Sequence, residues 1–325
     1  MEFHSSITGL QLTESVVTLG TFDGLHRGHQ SLIRQVQVRA NALQVPSVLI
    51  TFDPHPKEVL LKERRVPVEL LTTKEEKKHI LQEEFDLDHG IILPFTEQFS
   101  QVSATDFLEQ YLVSPLTPAE IIIGYDHRFG RGREGDASFL QRFEDTYSYK
   151  TTIVEAETIN GDTVVSSSVI RYLLRDGKTM KAIEYLARPY PVSGTVIHGA
   201  GRGKELEFPT ANIAPATANK LLPKDGIYLV YTTGDSINSY GLCSIGDRPT
   251  FEDGQHAVEV FLMDPPEQSL YSQYLTIHFF HRLRDQKQFE SGEALTRQMY
   301  RDKQQGEELI ATENPWSQYQ EEIVT

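Results

Sequence analysis

One stretch decides the fold of the first half of the chain: Gly20-Thr21-Phe22-Asp23-Gly24-Leu25-His26-Arg27-Gly28-His29. An apolar run comes before it, and this run, Val16-Val17-Thr18-Leu19, is typical of a buried strand. A helical pattern comes after it, with apolar residues at Leu32, Ile33, Val36, Ala40 and Leu43. Strand, glycine-rich turn and helix in this order predict the ligand-binding edge of an α/β domain.

Two histidines stand at the mouth of the predicted helix. His26 and His29 are three residues apart, a spacing that places both imidazoles on one helical face. The helix N-terminus adds backbone N–H groups and the positive end of the helix dipole, so the turn can cradle the phosphates of a nucleotide. The plainer interpretation is two surface histidines beside an ordinary turn. Gly20, Gly24 and Gly28 favour the phosphate site, because they clear the backbone for an approaching ligand.

The stretch resembles the HxGH signature of the nucleotidyltransferase superfamily. Its longer form, Gly-Thr-Phe-Asp-Gly-x-His-x-Gly-His, is similar to the motif of the bacterial bifunctional riboflavin kinase/FMN adenylyltransferases, or FAD synthetases. The resemblance implies a Rossmann-like nucleotidyltransferase domain in which His26 and His29 contact the phosphates of ATP. It also implies an ATP-binding turn made of Gly20, Thr21, Phe22, Asp23 and Gly28.

Composition narrows the class of protein. The 325 residues suffice for two domains, and the net charge of -15 argues against a nucleic-acid backbone or an anionic membrane as partner. The single cysteine, Cys243, excludes an intrachain disulfide and suits a reducing cytosol. Because the sequence has neither a signal peptide nor an apolar run of membrane-spanning length, we expect a cytoplasmic protein. Its oligomeric state is left open.

Strand-like and helix-like segments alternate between residues 16 and 185, which predicts a parallel sheet with helices on both faces. The predicted strands are Val16–Leu19, Ser47–Thr51, Gly90–Leu93, Glu120–Ile123 and Thr151–Val154. Beyond residue 191, segments rich in β-branched and aromatic residues predict an antiparallel β-barrel, closed by a helix from Gly292. We therefore expect an FMN adenylyltransferase domain over residues 1–187 and a riboflavin kinase domain over residues 188–325.

Two loops at the carboxyl ends of predicted strands carry polar residues. Asp53 and His55 follow the second strand, where a proline-stiffened structural loop is an equally good interpretation. A glycine-rich loop with three arginines follows the fourth strand and contains Gly124, Asp126 and Arg128; a flexible solvated loop is its plainer interpretation. The resemblance implies that these five residues bind the flavin.

A hydroxyl-rich turn opens another predicted helix, Ser168–Arg175. Ser166, Ser167 and Ser168 offer hydroxyl and N–H groups at the helix start, and Arg171 follows one turn later, an arrangement that suits the β- and γ-phosphates of ATP. Helix capping explains one serine but hardly three. By resemblance, Ser167, Ser168 and Arg171 match the Ser-Thr-x-x-Arg motif of the family, with Arg171 as a catalytic residue.

A second phosphate motif lies in the C-terminal half. Gly201, Gly203 and Lys204 belong to a glycine-rich segment that is a weak phosphate signal by itself. The run Pro-Thr-Ala-Asn after it resembles the riboflavin kinase motif. This resemblance implies that Thr210 and Asn212 hold Mg²⁺ and nucleotide phosphate through oxygen ligands, next to the ATP-binding glycines and Lys204.

Glu259 falls on the position of the catalytic carboxylate of the family. The alternation of inward Val258, Val260 and Leu262 with outward Glu259 and Phe261, taken alone, favours an ordinary solvent-facing strand carboxylate. The resemblance implies instead that Glu259 is the catalytic base of the kinase reaction. A base is chemically useful, because the ribityl hydroxyl of riboflavin is a poor nucleophile until its proton leaves.

The C-terminal half departs from the family pattern at several positions. Glu207 stands in place of a glycine and Lys204 in place of an arginine. Asp247-Arg248 replaces Thr-Asn, and Ser269-Leu270-Tyr271-Ser272 replaces Asp-Leu-Tyr-Gly. A glutamate beside ATP can repel phosphate, but we expect the kinase activity to be retained.

The function predicted from the sequence is therefore bifunctional flavin cofactor synthesis. Riboflavin and ATP give FMN and ADP in the barrel, and FMN and ATP give FAD and pyrophosphate in the sheet domain, both with Mg²⁺. Three alternatives stay open at this point. They are a single-activity FMN adenylyltransferase whose barrel only binds flavin, a flavin storage or sensing protein, and a nucleotidyltransferase for another small phosphate ester.

Overall fold

The chain divides into two compact units. The computed structural model describes residues 1–64, 67–198, 210–247 and 256–324. Backbone contacts group residues 1–166 into one unit and residues 167–325 into the other. The functional boundary at residues 187/188 stays a prediction.

The first unit alternates strands and helices. Its strands are β1 (Glu2–His4), β2 (Ser15–Leu19), β3 (Ser47–Asp53), β4 (His89–Pro94), β5 (Pro118–Gly124), β6 (Lys150–Val154) and a short antiparallel pair, β7 (Thr158–Ile159) and β8 (Thr163–Val164). Its helices are α1 (Arg27–Leu43), α2 (Pro56–Leu60), α3 (Lys74–Glu84), α4 (Ala104–Phe107), α5 (Ser114–Leu116), α6 (Ala137–Arg142) and α7 (Glu144–Tyr147). A π-helical segment, Leu108–Val113, joins α4 to α5, and short 3₁₀ turns occupy Lys62–Arg64, Phe99–Gln101 and Arg131–Arg133.

The main strands of this unit form one parallel sheet. Among the described residues its order is β1-β4-β3-β2-β5-β6, and each neighbouring pair is parallel. Successive side chains of β2 pack into two different hydrophobic clusters, one on each face of the sheet. Val16 belongs to the cluster that contains residues of α1 and α3, whereas Val17 belongs to the cluster that contains residues of α4 to α6. This period of two produces two buried faces. The prediction of a parallel sheet between helical layers is confirmed.

The second unit is built around a barrel. Its elements are α8 (Ser167–Arg175), α9 (Thr179–Leu186), β9 (Tyr190–Ile197), β10 (Thr210–Pro215), β11 (Gly226–Gly234), β12 (Ile237–Asp247), β13 (His256–Leu262), β14 (Tyr274–Arg284), α10 (Gly292–Glu313) and α11 (Pro315–Val324). The described strands close in the order β10-β13-β12-β11-β14-β9, with each neighbouring pair antiparallel. The predicted antiparallel barrel with a terminal helix is confirmed.

Helices α8 and α9 pack against this barrel. The Thr179 hydroxyl of α9 donates to the backbone carbonyl of Phe280 in β14. The N–H of Lys224, just before β11, donates to the carbonyl of Leu174 in α8 at 2.9 Å. The helix pair is therefore a structural part of the barrel unit.

The two C-terminal helices also contact the barrel. The Arg284 guanidinium at the end of β14 binds both carboxylate oxygens of buried Asp302 in α10, at 2.7–3.0 Å. Trp316 of α11 stacks on Tyr231 of β11 with ring centroids 4.3 Å apart. Across the described residues, no helix combines the length and the apolar character needed to cross a bilayer.

We predict that Gly194→Ala destabilises the barrel strongly. A Cβ at this position of β9 would lie 2.1 Å from the carbonyl oxygen of Ala214 in the neighbouring strand, so the backbone must move. Overpacking of this kind costs about 1–3 kcal/mol of unfolding free energy. Gly292→Ala is the matched control, since a Cβ there meets nothing within 4 Å at the start of α10. Thermal unfolding measures both variants, and equal melting temperatures would contradict the prediction.

Candidate active site

The order of the strands creates a crevice beside β2. The chain runs from β2 outward through β3 to β4, and then returns to the other side of β2 to form β5. Where the direction of winding reverses in a parallel sheet, the loops after the two strands separate and leave a ligand-binding crevice at their carboxyl ends. Gly20 follows β2, and Gly124 ends β5. The histidine-containing turn and the arginine-rich loop therefore leave the sheet on the two sides of this crevice.

His26 is the N-cap of α1 rather than a residue of its first turn. Its backbone is extended, and its Nδ1 accepts a hydrogen bond from the N–H of His29 at 3.4 Å. With Nδ1 used as an acceptor, the protonated nitrogen of a neutral His26 ring is Nε2.

The two imidazoles meet as the spacing predicts. The rings of His26 and His29 are stacked, with centroids 3.6 Å apart and an interplanar angle of 15°. The edge of Phe22 packs against His29 at 5.2 Å, and both Phe22 and His26 are buried. Packing therefore fixes the positions of both rings at the N-terminus of α1.

The turn before α1 has a strained backbone. Phe22 and Leu25 adopt φ values of +48° and +43°, in the left-handed region that disfavours residues with a side chain. Such conformations cost about 1–3 kcal/mol each and are held by surrounding contacts, often at functional sites. A Cβ on Gly20 would lie 3.2 Å from the Phe22 ring. Glycine at this position thus makes room for Phe22, a role that the sequence analysis does not assign to it.

Asp23 fastens this turn to the segment before α3. Its buried carboxylate accepts hydrogen bonds from the N–H groups of Leu71 and Thr72 at 3.0 and 3.1 Å. The Thr72 hydroxyl accepts a further bond from the N–H of Gly24 at 3.0 Å. Asp23 therefore helps to hold the turn in place, and its direct contact with ATP stays a prediction.

Lys77 is a site residue that the sequence analysis missed. Its buried ammonium donates to the carbonyl of Thr21 at 2.7 Å and to the Thr51 hydroxyl at 3.1 Å. Burial lowers the pKa of Lys77 to about 8, against the opposing effect of the negative charges of Asp23 and Asp53. One signal was present in the sequence, because Lys77 shares the buried face of α3 with Ile80 and Leu81, three and four residues later.

We predict that the stability difference between the wild type and Lys77→Met depends on pH. Between pH 8 and the unfolded value of 10.5, the unfolded chain keeps a proton that folded Lys77 has released. Raising the pH through this window stabilises the wild type relative to the variant, by about 3 kcal/mol in total. Denaturant unfolding at pH 7.5 and pH 10 measures the difference, in which all other titrations cancel. A constant difference would contradict the assignment.

A pocket lies beside Lys77, at the carboxyl edge of the sheet. Asp53 and His55 both line it, and Lys74 Nζ lies 3.8 Å from the Asp53 carboxylate. His55 also has a structural role: its Nδ1 accepts from the N–H of Lys57, and its own N–H donates to Glu58, which completes the cap of α2. The lining residues are Asp23, Phe52, Asp53, His55, Leu70, Thr72, Lys74, Lys77 and Ile92. Flavin binding by Asp53 and His55 stays a prediction.

The loop after β5 is ordered by its own hydrogen bonds. Phe129 and Gly135 form an antiparallel bridge across it, and Arg128 pairs with Asp136, the N-cap of α6. Asp126 is exposed at the start of the loop, next to Gly124. These contacts give the loop internal hydrogen bonds that favour a defined conformation. The roles of Gly124, Asp126 and Arg128 in flavin binding stay predictions.

The predicted serine-arginine motif lies at the junction of the two units. Ser167, Ser168 and Arg171 belong to α8, and Ser166 is the last residue of the first unit. Ser168 is exposed, whereas Ser166, Ser167 and Arg171 are half-buried. Their contact with the same triphosphate as His26 stays a prediction.

In the barrel, the strand register brings the predicted kinase residues together. Asn212 of β10 lies directly opposite Glu259 of β13, so the two side chains share a face. Thr210 lies two residues before Asn212 on that same face. Asn212 is buried, and its Oδ1 accepts no hydrogen bond from the described part of the chain. The remaining predicted residues of this site, Gly201, Gly203 and Lys204, lie outside the described residues, as do Glu207 and Arg248.

A helix N-terminus with paired imidazoles at the reversal point of a parallel sheet defines a class of nucleotide-binding, phosphate-transferring proteins. The family model described as FAD synthetase matches residues 10–168, and the model described as Riboflavin kinase matches residues 186–310. The chain belongs to the bifunctional riboflavin kinase/FMN adenylyltransferase family.

Individual relatives extend over nearly the whole chain. A bifunctional riboflavin kinase/FMN adenylyltransferase from Listeria monocytogenes is 34% identical, over 93% of this chain and 95% of its own. The protein with this name from Escherichia coli is 30% identical, over 92% and 94%. A crystal structure of a macrolide-efflux protein from Streptococcus pneumoniae is similar with a TM-score of 0.81 and 27% identity, over 96% of this chain and 98% of that one. Its name refers to efflux, whereas both family models refer to flavin chemistry.

Proposed function

We propose that this chain makes FAD from riboflavin in two steps. The barrel unit transfers the γ-phosphate of ATP to riboflavin, and the sheet unit transfers the adenylyl group of a second ATP to the resulting FMN. One observation carries the proposal: a single chain contains both the histidine turn at the sheet crevice and the Asn212–Glu259 pair on the barrel, and the two family models match these two halves.

For adenylyl transfer, the residues have to align the reactants and neutralise charge. The phosphate of FMN is already ionised at neutral pH, so it can attack the α-phosphorus of ATP without a base. The bond from the α-phosphorus to the bridging oxygen breaks, and pyrophosphate leaves with the negative charge. The Nε2–H of His26, the adjacent His29 and the N-terminus of α1 are positive or hydrogen-bond-donating groups suited to that charge.

For riboflavin phosphorylation, a base is needed. The terminal ribityl hydroxyl loses its proton to the Glu259 carboxylate as its oxygen attacks the γ-phosphorus of ATP, and ADP leaves. Glu259 lies beside Asn212, which is suited to holding the phosphate side of the reaction. The proton on Glu259 then returns to solvent.

The barrel residues also fit a magnesium ion. The buried Oδ1 of Asn212 receives no hydrogen bond within the described residues, and such an oxygen is a suitable ligand for a hard cation. We propose that Thr210 and Asn212 hold Mg²⁺. When bound, the ion would neutralise phosphate charge.

We also propose a cytoplasmic location, with ATP, riboflavin and FMN as small-molecule partners and with neither nucleic acid nor a membrane as a partner. The chain has one cysteine, which is buried, and burial raises the pKa of its thiol. A net charge of -15 disfavours nucleic acid as a partner.

Chromatography of the products made from riboflavin, ATP and Mg²⁺ tests the proposal. We expect both FMN and FAD, and FAD alone when FMN is supplied. The substitution of Glu207 for the family's glycine favours one competing result, FAD from FMN without FMN from riboflavin. That result would establish a single-activity adenylyltransferase, and rescue of the kinase by Glu207→Gly would explain it. Bound flavin without either product would contradict both enzymatic functions.

A further inference from the structure

Strand β1 at the edge of the parallel sheet carries different chemistry on its two faces. Phe3 lies on one face, above Gly90 of β4, where a Cβ would come within 2.6 Å of the Phe3 ring. Because side chains alternate along a strand, Glu2 and His4 point to the opposite face. The parallel register pairs Glu2 directly with His89, so His89 lies on the same face of the sheet as Glu2 and His4.

These three side chains converge on one point. His4 Nε2 and His89 Nδ1 are 3.2 Å apart. The Glu2 carboxylate lies 3.9 Å from each imidazole, and one ligand atom from each of the three residues falls within 4.8 Å of the others. No other group of three metal-ligating side chains with this spacing occurs in the described ranges.

We propose that Glu2, His4 and His89 bind a divalent transition-metal ion of the Zn²⁺ type. Two nitrogens bound to a tetrahedral zinc at about 2.05 Å are about 3.3 Å apart, which matches the observed separation of the imidazole nitrogens. Glu2 supplies an anionic oxygen, and the fourth position is left to solvent. Imidazole with carboxylate selects zinc, nickel or copper over magnesium.

The two imidazoles of the proposed site are held in place by the surrounding protein. The side chains of His4 and His89 are each less than one-fifth exposed, which limits their freedom before the ion binds.

The proposed site is separate from the nucleotide turn. Glu2 and His89 are the first residues of their strands and lie at the amino end of the sheet. The histidine turn at Gly20 leaves the carboxyl end of β2, two strands away. A bound ion would join the three-residue strand β1 to β4 and hold the edge of the sheet in register.

Titration with Zn²⁺ tests the proposal, on full-length chain freed of metal and in buffer without nucleotide, flavin or Mg²⁺. We expect one equivalent to bind with a dissociation constant on the order of micromolar or below. His4→Gln and His89→Gln should each weaken this binding at least tenfold, and Glu2→Gln should weaken it less. His79→Gln is the matched control, because His79 is exposed on α3 and lies outside the cluster.

Two further measurements separate binding from folding. Near-UV circular dichroism of each metal-free variant should match the wild type, since each substitution keeps a polar side chain of similar size. Co²⁺ should give the visible absorption of a tetrahedral site in the wild type and in His79→Gln, but not in His4→Gln. Failure of the wild type to bind zinc, or equal affinity in all variants, would overturn the proposal and leave a simple hydrogen bond between His4 and His89.

Discussion

Replacing His29 by alanine abolishes FAD formation, while FMN formation from riboflavin continues near the wild-type rate. The proposed mechanism assigns to His29 a charge-neutralising contact with the leaving pyrophosphate, and loss of one such preorganised group costs about 100- to 1,000-fold in rate. FMN formation is spared because Asn212 and Glu259 belong to the barrel unit. The two products are measured separately by chromatography, with FMN or riboflavin as the starting flavin.

Two control variants make this result specific. His29→Phe keeps a ring that can stack on His26 and make the T-shaped contact with Phe22 but has no polar atom, so we expect it to fail as completely as alanine. His79→Ala removes an exposed histidine from α3 and should have no effect. If His29→Phe made FAD at the normal rate, the role of His29 would be packing and not contact with phosphate. An equal loss of both activities in His29→Ala would contradict the division of labour between the units.

Replacing Glu259 by alanine has the reverse effect. FMN formation from riboflavin should fall by about 100-fold or more, because the ribityl hydroxyl no longer has a base. FAD formation from supplied FMN should be unchanged, since the histidine turn lies in the other unit. Steady-state rates with each flavin measure the two effects independently.

Glu259→Gln is the matched control for the barrel. Glutamine keeps the size of the side chain and can still hydrogen-bond beside Asn212, but it cannot accept the proton. We expect it to be as inactive as alanine in the kinase reaction while its melting temperature stays close to the wild-type value. A normal rate of FMN formation in either variant would contradict the assignment of Glu259 as the base.

Long apolar runs made most of the fold predictable. Val16–Leu19 becomes part of β2, and the helical pattern with apolar residues from Leu32 to Leu43 becomes part of α1. Short elements were missed for physical reasons. Three-residue β1 is too short to display a periodicity, and β10 ends in proline after a glycine-rich segment, which is typical of a loop. Both segments form strands because their backbones hydrogen-bond to neighbouring strands.

The site was predictable only in part. The spacing of His26 and His29 correctly predicted that the imidazoles meet, because three residues at a helix start fix their separation. The partners of Lys77 could not be predicted from local sequence, since Thr21 lies in the turn after β2 and Thr51 lies in β3. The left-handed backbone of Phe22 was equally hidden, because it depends on Gly20 leaving space for the ring.

Because α8 packs on the barrel, the chain cannot be divided cleanly into one fragment for each activity. A fragment that starts at residue 188 would lose α8 and α9, and with them the hydrogen bonds that join Thr179 and Leu174 to the rest of the barrel unit. A fragment that ends at residue 166 would lack Ser167, Ser168 and Arg171, which the family motif assigns to adenylyl transfer. Residues 167–186 therefore contribute to both proposed activities. Cutting the chain at residue 166 or at residue 188 should leave at least one fragment with reduced activity, which would favour keeping both activities in one polypeptide.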